Sequence, residues 1–147
     1  YTALGDTVNL ASRLEGQSKN YGVEIILGDK TAKAVKDKLA TIEIDLIQVK
    51  GKTEPERIHA LLGGEEAAGH QDFIALRAMN AMMLSAYHRQ DWTSAFESLE
   101  EMAIISERMG IEETTSTYLF MMETRISEFK ENPPGPSWNG VYEATSK

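Results

Sequence analysis

The sequence predicts an α/β (α+β) chain in two parts: a strand-and-helix region over residues 1–64 and a small all-α helical-hairpin domain over residues 65–147. Three observations carry that expectation. Up to residue 62, apolar runs suited to strands alternate with helical runs in the order β-α-β-α-β-β. Charge divides at the same place: residues 1–62 hold nine basic and nine acidic residues, whereas residues 63–147 hold six and fourteen and so supply the whole net charge of −8. All seven methionines also fall in the second part, which points to a core built differently from the first.

Taken in order, Tyr1-Thr2-Ala3-Leu4 reads as the end of a strand running into Gly5. Asp6 is suited to cap the helix that follows, in which Val8, Leu10, Ala11 and Leu14 share one arc. Asn9 and Arg13 lie four residues apart on the opposite face. A guanidinium can fork onto phosphate oxygens and a neighbouring amide can position a hydroxyl, so this pair suits a ribose and a polyphosphate. By spacing alone, an Asn and an Arg on the polar face of an amphipathic helix are more usually solvated surface residues. Lys19-Asn20-Tyr21-Gly22 makes a turn before a strand at residues 23–27, and Gly28-Asp29 precedes a helix over residues 31–39. Ile42-Glu43-Ile44-Asp45-Leu46 alternates as a half-buried strand should, with Asp45 outward and Leu46 inward. That strand continues to Val49, turns through residues 50–56 at Gly51 and Pro55, and returns over residues 57–62.

Past Gly63-Gly64, residues 65–70 read as a polar linker. Phe73, Leu76, Met79, Met83, Leu84 and Tyr87 recur at helical spacing over residues 72–88, and a second helix runs from Trp92 to a stop at Gly110. A third spans residues 114–129 before Pro133-Pro134 ends helix formation. Tyr87 with Asp91-Trp92 and Ala95-Phe96 resembles a single tetratricopeptide-type hairpin, and one copy makes no repeat array. The methionine and aromatic stripe is packing rather than a cofactor box.

Composition narrows the function further. The chain has no cysteine, which rules out disulfides and thiolate chemistry and is compatible with a cytoplasmic setting. The acidic second half argues against nucleic acid as a partner, and no apolar run is long enough to span a membrane. His59, His70 and His88 lack metal-ligand spacing, and no Walker-type loop or nucleophile elbow is present.

The eleven-residue string Gly5-Asp6-Thr7-Val8-Asn9-Leu10-Ala11-Ser12-Arg13-Leu14-Glu15 closely resembles the signature segment of the class III nucleotide cyclases. Val49-Lys50-Gly51-Lys52 resembles the turn before that family's last strands. The resemblance implies the C-terminal portion of a ferredoxin-like cyclase domain. It implies that Asn9 orients the ribose of ATP, that Arg13 stabilises the pentavalent phosphorus, and that Lys50, with Lys52 a lesser candidate, contacts the polyphosphate. It places Thr2 where the family reads the purine, which favours adenine over guanine, although a strand-end Thr chosen for its β-branching fits as well. Two metal-binding Asp residues, for Mg²⁺ or Mn²⁺, are expected upstream, so the chain is expected to be a fragment that is inactive alone and holds no metal ligand itself. The family builds its site between two domains, which implies a second cyclase domain as partner, a homodimer in the simplest case. Helical tails of this kind follow cyclase domains in bacterial proteins with a membrane-bound sensor. Two functional classes follow: part of an adenylyl cyclase (or a guanylyl cyclase), and a non-catalytic regulatory or interaction module that keeps the cyclase fold.

Overall fold

A computed structural model describes residue 18, residues 20–48 and residues 54–143. The described chain runs β1 (Ile26–Gly28), α1 (Asp29–Val35), β2 (Ala40–Gln48), β3 (Glu56–Gly63), α2 (Glu65–Ala68), α3 (Gln71–His88), α4 (Trp92–Met109), α5 (Glu112–Glu131) and β4 (Tyr142–Glu143). It is an α+β arrangement. The strands form one mixed sheet in the order β1-β3-β2-β4, antiparallel except for the short β2–β4 pair.

The β2–β3 hairpin is the centre of the sheet, and its register departs from simple alternation. Glu43 pairs with His59 and Asp45 with Ile58, so Ile44 is an extra residue on β2. A bulge of this kind shifts the phase of every side chain that follows. Ile42 and Ile44 are buried before it; after it Asp45 and Ile47 are buried, while Leu46 is only partly so. The outward Asp45 and inward Leu46 expected from alternation are therefore exchanged.

The outer edge of β2 meets β4 only at Ile47 and Gln48. Nearer the start of the strand, α3 supplies donors instead: Arg77 Nε donates to the Thr41 carbonyl at 3.1 Å and Asn80 Nδ2 to the Glu43 carbonyl at 2.6 Å. A helix lying along an open strand edge covers polar groups that would otherwise pair with another chain.

Local signals set the long helices. Asp91 caps α4 by accepting the Ser94 backbone N–H at 3.2 Å and the Ser94 hydroxyl at 2.7 Å, and Gly110 closes it with φ +72°. Tyr21, Ile42, Ile44, Ile47 and Ile58 share one hydrophobic cluster with Phe73, Leu76, Met83, Tyr87, Met122 and Ile126. Several short elements differ from the sequence expectation. The strand expected over residues 23–27 pairs only at Ile26–Gly28, opposite Ala60, His59 and Ile58. The helix expected over residues 31–39 begins earlier and ends at Val35, because the Val35 carbonyl accepts from both Lys38 and Leu39 in a closing turn. Within the expected linker, residues 65–68 form one helical turn, and β4 has no counterpart in the sequence expectation.

Candidate functional site

The hairpin is the part of the predicted site that the described residues frame. β2 and β3 part after the Ile47–Glu56 pair, and the connection between them carries Lys50 and Lys52. Those two lysines, together with Thr2, Asn9 and Arg13, lie outside the described residues. The observed geometry concerns what holds the two stems of that turn.

On the β2 stem a buried polar network does so. Asp45 Oδ2 accepts from the Tyr21 hydroxyl at 2.7 Å and from Arg125 Nη1 at 2.8 Å, while Oδ1 accepts the Leu46 backbone N–H at 2.9 Å. Nη1 of Arg125 also donates to the Tyr87 hydroxyl at 3.2 Å, and the guanidinium lies over the Tyr142 ring, 3.5 Å from its centroid. One arginine on α5 thus ties together β2, α3 and β4. β4 itself pairs with Ile47 and Gln48, the residues just before Val49-Lys50. A second link follows from α5 to α3 to β2, in which Tyr118 donates to Asn80 Oδ1 at 2.7 Å and Asn80 donates to the Glu43 carbonyl.

Electrostatics make this network a support and not a reacting group. Burial, reinforced by the charge of Asp45, pushes the Tyr21 phenol above its ordinary range, and burial pushes Tyr87 up to about 12. Burial would lower Arg125, but the Asp45 charge and the two phenols outweigh it and raise the guanidinium above its ordinary value. The two phenols and the guanidinium are thus each held in one protonation state near neutral pH and are not poised to exchange a proton. Sequence reading missed Asp45 and Arg125 as a pair: eighty residues separate them, and each sits at a position whose local pattern reads as solvent-facing.

A second, more open set of charges lies along the same pair of strands. His59 Nε2 pairs with Asp29 Oδ1 at 2.9 Å, Lys33 with Asp29 Oδ2 at 3.0 Å, and Arg57 with Glu43. At Asp29 burial is the largest single influence and opposes ionisation; hydrogen bonds from His59 and Lys33 together outweigh it and hold the carboxyl below its ordinary value. Lys33, Glu43, Arg57 and His59 border a cleft between α1, α3 and the β2–β3 pair. Among the described residues no group of three or more His, Cys, Asp or Glu side chains could hold a metal ion. Among the same residues no helix is long and apolar enough to cross a membrane.

Comparison with known proteins adds a separate observation. The chain is 36% identical over 63 residues to "Adenylate cyclase 1" of Rhizobium meliloti, a match covering 43% of this chain and 10% of that protein. It is 40% identical over 67 residues to "Adenylate cyclase, terminal-differentiation specific" of Dictyostelium discoideum, covering 44% of this chain and 3% of that one. These matches relate part of the chain to adenylate cyclases. The chain spans a tenth or less of the length of these curated relatives. No protein-family model matches it, and no solved structure does.

Proposed function

We propose that this chain is part of an adenylyl cyclase that converts ATP to 3′,5′-cyclic AMP and pyrophosphate for intracellular signalling, in a cytoplasmic domain. The similarity to two adenylate cyclases over some two-fifths of the chain is the observation that carries the reading. In this proposal Arg13 bears on the phosphorus undergoing substitution, where a fixed guanidinium stabilises charge that grows toward the transition state. Asn9 orients the ribose, Thr2 reads the adenine edge, and Lys50 on the hairpin turn balances the departing polyphosphate. Mg²⁺ or Mn²⁺ would be held by residues of the parent outside this chain, and a second cyclase domain would complete the site.

Residues 65–147 enter the proposal as a tetratricopeptide-like domain that supports the hairpin. Arg125 clasping Asp45, and β4 pairing with the end of β2, favour that role. The test is a cyclase assay on the parent with Mg²⁺ or Mn²⁺, comparing ATP with GTP and including Asn9→Ala and Arg13→Ala. Each substitution should cost about 2–4 kcal/mol of transition-state stabilisation, roughly two to three decades in rate. Full activity in both variants would overturn the assignment. A folded parent that binds ATP without turnover would make the chain a non-catalytic regulatory module instead.

A further inference from the structure

The cleft between α1, α3 and the β2–β3 hairpin runs against the character of the chain. The protein carries a net charge of −8, yet five fixed cations line this one cavity: Lys33, Lys36, Arg57, Arg77 and Arg89. Three of them are matched, Lys33 by Asp29, Arg57 by Glu43 and Arg89 by Asp91 at 3.5 Å. Lys36 and Arg77 have no carboxylate partner among the described residues, so the walls hold two cations in excess. Such an excess suits a dianion.

Arg77 is also set in place for one. Its Nε is committed to the Thr41 carbonyl, and its guanidinium sits 4.7 Å from the centroid of the Phe73 ring, so its orientation is fixed before any ligand arrives. Its Nη2 is buried with no hydrogen-bond partner. A buried guanidinium N–H is rarely left unmet, and such a group is well matched to a phosphate oxygen. Ile42 and Leu84 supply apolar surface beside these charges. At about 660 Å³ the cavity is far larger than a bare inorganic anion and falls within the range of small-molecule sites.

We propose that this cleft binds a small organic phosphate, with the phosphate held by Arg77 and Lys36 and an apolar body lying against Ile42 and Leu84. The site uses residues other than Asn9, Arg13 and Lys50, and the inference does not depend on the cyclase reading.

The experiment is calorimetric titration of the 147-residue chain with phenyl phosphate, AMP and inorganic phosphate, with the ring signals of His59 and His88 followed by NMR. Both organic phosphates should bind and move those signals, with inorganic phosphate weaker by roughly tenfold or more. Lys36→Met alters an exposed side chain and Arg77→Met a partly buried one; each should weaken both organic ligands by roughly tenfold. The urea midpoint of each variant establishes that it is folded, and Lys36→Met keeps the test valid if Arg77→Met is not. Lys130→Met, on α5 and away from the cleft, should leave binding unchanged. Absence of binding at millimolar ligand, equal binding of inorganic phosphate, or binding lost in Lys130→Met and kept in Lys36→Met would each overturn the proposal. None of these results bears on turnover by the parent.

Discussion

Replacing Arg125 by Met removes the only cation that meets Asp45 among the described residues. The carboxylate is fully buried and the guanidinium 7% exposed, so solvent cannot take over the lost contact. Removing one member of a buried ion pair typically costs about 3–5 kcal/mol, because the remaining charge stays desolvated. Here Asp45 keeps the Tyr21 hydroxyl and the Leu46 N–H, which places the expected loss at the lower end, about 3 kcal/mol. With an m-value of about 2 kcal/mol/M, the urea midpoint of the chain should fall by about 1.5 M. The double variant Arg125→Met/Asp45→Asn removes the stranded charge while leaving an acceptor for Tyr21, so it should recover about half of the loss. A single variant within about 1 kcal/mol of the parent, or a double variant no more stable than the single one, would refute this account of the network.

Two further outcomes are expected. Burial holds the His88 imidazole below its ordinary value of 6.5, so on acidification the unfolded chain takes up a proton before the folded one does. Stability should fall as pH drops through 6.5 and continue to fall until the lowered folded value is passed. His88→Gln should flatten the urea midpoint between about pH 7.5 and 5.5; an unchanged slope would assign the effect to other groups. Gly22 and Gly110 both adopt φ +72°, but a β-carbon at Gly22 would sit 2.3 Å from Thr117 Cβ, whereas one at Gly110 meets nothing within 4 Å. Gly110→Ala should cost about 1 kcal/mol from backbone strain alone, and Gly22→Ala roughly 3 kcal/mol, the clash with α5 being added. Equal losses by urea titration would show that the turn at Gly22 does not pack on α5 as described.

The extent to which this molecule can be read from its residues follows from the range of the forces involved. The signal for α3 spans residues 72–88 in sequence and Gln71–His88 in the structure, and Asp91 and Gly110 bound α4 as their types require. Amphipathic period, cap and stop act within a few residues, so they are written locally. The β2–β3 hairpin was legible for the same reason. Short elements were less so: the strand expected over residues 23–27 pairs at Ile26–Gly28, and β4, two residues long, was not expected, because such strands exist where a neighbour presents a matching edge. The candidate site divides in the same way. Asn9, Arg13, Lys50 and Thr2 stand out through their strings, whereas the supports beneath the hairpin carry no local mark.

The sequence by itself determined where the long helices start and stop, that β2 and β3 form a hairpin, and the resemblance that the adenylate cyclase matches support over part of the chain. Tertiary structure alone decided that Ile44 is a bulge, that Asp45 points inward, and that an arginine eighty residues later neutralises it. Only there do Lys36 and Arg77 come to share a cleft. The physical reason is desolvation: whether a charged side chain is solvated, paired or stranded depends on what the folded chain brings beside it.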